Sequence, residues 1–222
     1  MILSHKHRFI FLKTKKTASS SVELTLSSLC GPDDVITPLL DREEKLRPGR
    51  GAQNYLRGDA ERERTSNGLT IPMRGQDFYN HMKAREVVAI APAEWANYFK
   101  AAFVRNPWDA HLSAFFWRRR KGGDRSPEAF RQRMVGFHGN AFQGLFLDGK
   151  VAVDFVGRYE NLEADYRTMA RRMGCESPPP LPRLKAGTRL PGVHYRDYYD
   201  DAARELVAQR CAAAIEAFGY EF

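Results

Sequence analysis

The sequence predicts an α/β fold with a central parallel sheet flanked by helices. Two observations carry this. Short apolar runs alternate with amphipathic helical runs, the pattern of strand–helix units in a parallel sheet. The first two apolar runs each end in a polar break directly before a helix. The length, 222 residues, is long for one domain and short for two. Residues 1–222 are therefore read as a single domain, large enough to bury roughly 70% of its unfolded surface.

The elements follow in order. "RFIFL" (8–12) reads as a short buried strand, and "SSSVELTLSSLCG" (19–31) as a helix that Gly31 ends. "KAAFVRNP" (100–107) is a second apolar strand closed by an Asn-Pro break. "WDAHLSAFFWRRRKGG" (108–123) follows as a helix, with Asp109 in its first turn and a basic run in its last, each suited to the macrodipole. "VAVDFVGRYENL" (151–162) is the third apolar segment and leads into a helix, "EADYRTMARRMG" (163–174). Residues 200–222 read as one amphipathic C-terminal helix with an aromatic tail. Two stretches differ. The charged region Asp41–Arg74 is poor in apolar residues and unlike core; it defines a polar loop insertion over about residues 41–80, of the kind that forms lids or substrate surfaces. "CESPPPLPRLKAGTRLPG" (175–192) is irregular and stiffened by proline.

Composition narrows the function. Apolar residues at 43% and charged residues at 28% exclude wholesale disorder. A net charge of +8 points to anionic partners: nucleic acid, a phosphorylated cofactor or an anionic surface. Cys30, Cys175 and Cys211 are odd in number and far apart, which excludes a disulfide framework and a zinc-ligand pattern and suggests a reducing cytoplasm. No apolar run reaches bilayer length, and the N-terminal apolar stretch is too short for a signal segment.

The turn Lys13–Ser20 joins the carboxyl end of a predicted parallel strand to a helix N-terminus, where free N–H groups and the helix dipole attract anions. Lys16 suits a phosphate oxygen as a point charge, and Thr17, Ser19, Ser20 and Ser21 offer hydroxyl and backbone donors. An ordinary turn capped by Ser19 or Ser20 explains the same residues. The nucleotide motif GxxxxGK[ST] is absent, so an ATP-type loop is not supported. "FVRNPWDAHLSAFF" repeats the strand–break–helix geometry, with Arg105 at the strand end and Ser113 two turns into the helix. A structural ion pair and a small packing residue are the plainer reading of that pair.

Taken together, the two stretches resemble the sulfotransferase superfamily that uses 3′-phosphoadenosine 5′-phosphosulfate (PAPS). "KTKKTASSS" is similar to the family's 5′-phosphosulfate loop, commonly PKTAGTS: Lys16, Thr17, Ala18 and Ser21 match, while Ser19 replaces Gly, Ser20 replaces Thr and Lys15 replaces Pro. "VRNPWDAHLS" is similar to the 3′-phosphate motif through Arg105 and Ser113. "FVGRYENL" and the closing "HYRDYYDD…IEAFGYEF" resemble the carbohydrate branch, heparan- and chondroitin-like, in a soluble bacterial-type form. The resemblance does not cover Asp41–Arg74. It implies a P-loop-like sulfotransferase fold, PAPS as donor, no required metal, and a carbohydrate or glycolipid-like acceptor. Lys16, Thr17, Ala18, Ser19, Ser20, Ser21, Arg105 and Ser113 would hold the donor, and Lys185 and Arg189 would close over it as a basic flap.

Sulfuryl transfer requires charge stabilisation on the leaving oxygen, assigned to Lys16, and a base for the acceptor hydroxyl. His81, which follows the polar loop and precedes a short helix, is the expected base, with Glu23 as its rival. His111 reads as structural, and Trp108 and Trp117 as core residues. "GRYENL" implies support of the cofactor crevice or a Glu160–Arg158 pair. Two alternatives remain. A P-loop-like small-molecule kinase needs an acid for Mg²⁺, for which Asp154 is the candidate. A non-enzymatic RNA-binding protein could use "WRRRKGG", but that run ends a helix and no RNP or KH signature accompanies it.

Overall fold

The structure is a computed structural model that describes residues 1–56, 61–66, 69–74, 78–136, 142–184 and 187–222, with 61–66 and 69–74 as backbone. The chain opens with strands β1 (Ile2–Ser4) and β2 (Phe9–Leu12), helix α1 (Ser19–Ser27), β3 (Val35–Ile36) and the single turn α2 (Asp41–Glu44). A hairpin of β4 (Glu61–Ser66) and β5 (Leu69–Arg74) follows, then α3 (Ala84–Ile90), α4 (Pro92–Asn97), β6 (Phe99–Val104) and α5 (Pro107–Arg118). The second half holds α6 (Pro127–Val135), the short pair β7 (Phe146–Leu147) and β8 (Lys150–Val151), β9 (Phe155–Arg158), α7 (Leu162–Arg172), α8 (Asp201–Arg210) and α9 (Ala212–Phe218).

The central sheet has the order β3–β1–β2–β6–β9. Strands β2, β6 and β9 run parallel, but β1 is antiparallel to both β2 and β3. The expected all-parallel sheet is therefore a mixed one. The reason is local. The turn His5–Arg8 is too short for a crossover and can only reverse the chain. Asp34 fastens that turn, accepting the N–H of His5 at 2.7 Å and of Lys6 at 3.0 Å and the Ser4 hydroxyl at 2.7 Å.

Strand alternation sorts the core onto two faces. Phe9, Phe11, Ala101 and Phe103 face α1 and α7, packing with Val22, Leu26, Tyr166 and Met169. Ile10, Leu12, Ala102 and Val104 face the other side, where Leu112, Phe115 and Phe116 of α5 join Phe130, Tyr198 and Val207. Two helix boundaries differ from expectation. α1 stops at Ser27, where the hydroxyls of Ser27 and Ser28 bond back to the carbonyls of Leu24 and Thr25, before Gly31 is reached. The C-terminal segment is two helices, broken at Cys211.

Gly157 lies directly opposite Phe103 in the β6–β9 ladder. A Cβ there would stand 2.4 Å from the Phe103 ring, which is itself fully buried. Gly157→Ala should therefore cost about 1–3 kcal/mol and lower the melting temperature by several degrees, read by calorimetry.

Candidate functional site

Parallel pairing of β2 with β6 aligns Leu12 with Ala102, so both strands deliver their following loops to the same sheet edge. Residues 13–18 leave β2 there, and Arg105 and Asn106 leave β6. The first loop is closed by its own hydroxyls. Thr14 Oγ1 donates to the Phe103 carbonyl and lies 2.8 Å from Thr17 Oγ1, and the Ser19 hydroxyl donates to the Thr14 carbonyl. Thr17 and Ser19 thus turn their side chains inward. Ser19 itself has no positive φ; that conformation falls one residue earlier, at Ala18.

The loop backbone is strained. Lys16 and Ala18 have φ of 65° and 56°, while Thr17 between them does not. Positive φ in non-glycine residues costs about 1–3 kcal/mol each and concentrates at functional sites. Anion-binding nests are built from backbone in which a left-handed residue adjoins a right-handed one. α1 begins at once, and no side chain caps its N-terminus, leaving its first N–H groups and the dipole directed into the same place.

Arg105 joins the two loops. Its Nη1 donates to the Lys16 carbonyl at 3.0 Å, and its Nε donates to Asp109 at 2.6 Å. Tyr159 lies under the guanidinium, 3.8 Å from it. The segment after β9 completes this support: Glu160 accepts the Asn106 N–H at 2.6 Å and the Tyr220 hydroxyl at 3.1 Å. The expected Glu160–Arg158 pair is not what the geometry holds. Arg158 instead donates to the Phe218 carbonyl and stacks on Tyr220. Ser113 is half-buried two turns along α5 from Arg105.

Arg189 is also placed here. It donates to the other oxygen of Asp109, so it is pinned to α5 rather than being part of a free flap. Lys185 lies outside the described residues. Asp109, read from sequence as a macrodipole residue, is thus the shared anion of Arg105 and Arg189. Its i,i+4 spacing from Arg105 is the signal that could have found it.

Lys16 is half-buried, and its ammonium lies 5.0 Å from the centre of the Trp117 ring. Trp117 is expected in the core but is half-buried and faces cations: Arg42 and Arg120 lie 4.8 and 4.1 Å from the same ring. Trp108 does lie in the core, with Nε1 donating to the Arg204 carbonyl at 3.0 Å. Beside Trp117 opens a cavity of about 310 Å³ whose walls include Arg42, Glu43, Leu46, Arg120 and Leu184.

His81 is brought to the same loop from the far side. Its Nδ1 lies 3.0 Å from the Lys13 carbonyl. A carbonyl only accepts, so Nδ1 carries the proton and Nε2 the lone pair. Burial, reinforced by the charge of Lys13, lowers its pKa to about 2. Glu23, the rival base, is fully buried; Lys13 Nζ lies 3.0 Å from one of its oxygens and the Met1 amino group 3.1 Å from the other. Burial alone would raise this carboxyl, but the Met1, Lys13 and Arg47 charges outweigh that and hold it below the usual range. Glu23 therefore anchors the loop base. His111 is lowered to about 4 by burial and lies 3.7 Å from the Cys211 sulfur.

Asp154, the acid a kinase would need, precedes β9 at the opposite sheet edge and pairs with Lys100 at 2.9 Å. Among the described residues no group of three or more His, Cys, Asp or Glu is placed to hold a metal ion, and no helix is long and apolar enough to cross a membrane.

The mixed α/β sheet thus carries a strained loop with no side-chain cap at the carboxyl end of a parallel strand. A family model described as "Sulfotransferase family" matches residues 1–220, and the chain belongs to that family. No curated protein and no solved structure matches it.

His81 and His111 have folded-state pKa values below the ordinary 6.5. The unfolded chain therefore binds the extra protons as pH falls through about 6.5, and stability is lost below that point. Between pH 7 and 5 each should remove about 1–2 kcal/mol. The fall in melting temperature over that range should be visibly smaller in His111→Gln.

Proposed function

We propose that this chain transfers a sulfuryl group from PAPS to a hydroxyl of a carbohydrate or glycoconjugate acceptor. The observation that carries the reading is the Lys16–Ala18 loop: two strained non-glycine residues at an uncapped helix N-terminus, tied by Arg105 to the neighbouring strand end. Strain of this kind persists where a bound anion gains from it.

The donor supplies, when bound, an activated sulfuryl group whose leaving group is a phosphate oxygen. The residues present fit it. The N–H groups at the start of α1, with Ser20 and Ser21, would hold the 5′ end, and Lys16 would set its charge at the leaving oxygen. Thr17, Ala18 and Ser19 contribute through the backbone, since the Thr17 and Ser19 hydroxyls are engaged within the loop. Arg105 and Ser113 would hold the 3′-phosphate, and Lys185 and Arg189, the latter paired with Asp109, would lie over the donor. His81 suits the base because its tautomer leaves Nε2 free of the proton. Its weak basicity in the empty site rises once the anionic donor lies near it, because opposite charge favours the imidazolium. The polar insertion, part of which walls the Trp117 cavity, would face the acceptor.

The first test is thermal unfolding with 3′,5′-adenosine bisphosphate set against AMP and ATP–Mg²⁺. At about 100 times its dissociation constant the bisphosphate should add roughly 2.7 kcal/mol, a shift of several degrees. A shift with ATP–Mg²⁺ alone would sink the donor assignment. Lys16→Ala should lower turnover by about 10²–10³. His81→Ala should lower turnover by at least about 10² while leaving the bisphosphate shift in place. Because burial lowers the His81 pKa to about 2 in the absence of donor, kcat/KM for the donor should show no acid limb from this group between pH 5 and 8. A limb near pH 6.5 that disappears in His81→Ala would contradict that environment.

A further inference from the structure

Asp109 is out of place in a site that is to receive a phosphate. It stands in the first turn of α5, between Arg105 just after β6 and Ser113 one turn further along the helix. Those are the two residues assigned to the 3′-phosphate, and the spacing of four puts Asp109 on the same side as both. A carboxylate facing a phosphate dianion repels it. The acid therefore costs affinity unless its charge is used for something else.

The geometry shows where that charge goes. One carboxylate oxygen of Asp109 accepts from both Nε and Nη2 of Arg105, each at 2.6 Å. The other accepts from Nη2 of Arg189, and the Asp109 carbonyl lies 3.4 Å from the same nitrogen. Two guanidiniums thus share one carboxylate, although Arg189 comes from an irregular segment 80 positions further along the chain. Cations this close repel, and the carboxylate between them lets them stand together. Within this trio one positive charge stays unmatched.

Both guanidiniums also keep donors to spare, since each has five N–H groups. Arg189 forms its hydrogen bonds among the described residues from Nη2 alone. Arg105 gives Nη1 to the Lys16 carbonyl, which uses one of the two N–H groups there. Its plane is fixed by the Tyr159 ring, 3.8 Å away. The Arg105 side chain is 8% exposed and that of Arg189 26%, so the outer guanidinium is open to an incoming solute.

We propose that Asp109 is a positioning residue for the donor's 3′-phosphate: it holds Arg189 beside Arg105 before the nucleotide arrives, so that both guanidiniums grip one phosphate. The proposal rests on the donor reading. Ordering a long side chain on an irregular segment at the moment of binding costs affinity. Asp109 meets that cost during folding. The phosphate then completes the neutralisation that one carboxylate leaves unfinished. Selectivity for a 3′-phosphorylated nucleotide thereby depends on an acid that acts only through its two arginines.

The test is calorimetric titration with 3′,5′-adenosine bisphosphate and with AMP, which lacks the 3′-phosphate. The wild type should prefer the bisphosphate. In Asp109→Asn that preference should fall by about tenfold or more, the worth of one charge-assisted hydrogen bond, while AMP affinity stays near the wild-type value. Arg189→Ala should lower the preference too. Adding Asp109→Asn to it should cost less than Asp109→Asn does alone, because the two side chains act through one contact; fully additive losses would overturn the proposal. A purely structural role for Asp109 would weaken both nucleotides alike and leave their ratio unchanged, and that result overturns it. So does a higher preference in Asp109→Asn, the mark of simple repulsion. Where Asp109→Asn does not fold, Arg189→Ala decides: a reduced preference with AMP binding intact supports the proposal, and an unchanged one overturns it. A wild type without preference for the bisphosphate overturns the donor reading and this proposal together. A wild-type preference that survives unchanged in the variants overturns this proposal alone.

Discussion

The site depends on one side chain bridging two strand ends. Arg105 reaches from the end of β6 to the carbonyl of Lys16 while holding Asp109 on its own helix. Hydrogen bonds from a charged donor contribute about 1.5–3 kcal/mol each, comparable with the cost of the positive φ angles beside them. The bridge lets a strained loop exist as a stable feature. Tyr159 and Glu160, delivered by the third parallel strand, hold the bridge from the other side. Three consecutive parallel strands therefore end in one interlocked constellation.

A basic chain must also distribute its charge. Burying a cation without a partner is costly, so buried positive groups are paired. Lys13 follows this rule with Glu23 beneath the loop, and Arg105 follows it with Asp109. The cations nearer solvent use aromatic faces instead, on Trp117 and Tyr98. The result is graded: the charge under the loop meets a carboxylate, whereas Arg42 and Arg120 rest against the Trp117 ring.

Much of this was legible in the chain. The strands around Phe9–Leu12 and Phe99–Val104 are continuous apolar runs because both of their faces are covered, and such runs are conspicuous in sequence. That the loop after β2 and Arg105 meet was legible because adjacent parallel strands deliver their following loops to one sheet edge. β1 was not, since three residues carry too little periodicity to register. The break at Cys211 escaped notice because the sequence on both sides favours helix. The roles of Asp109 and Trp117 were obscured for a different reason: each suited a local explanation, a helix dipole in one case and a core in the other.

Sequence alone determined the three parallel strands, the helices that follow them and the surplus of positive charge. These follow from local propensity, side-chain period and composition, none of which needs a distant partner. Only the tertiary structure decided that β1 runs against its neighbours, that Glu23 belongs to Lys13, and that Lys16, Arg42 and Arg120 share one indole. Those outcomes depend on residues far apart in the chain meeting in space. Which charge finds a carboxylate and which an aromatic face is settled by packing, because burial sets the cost of leaving a charge without a partner.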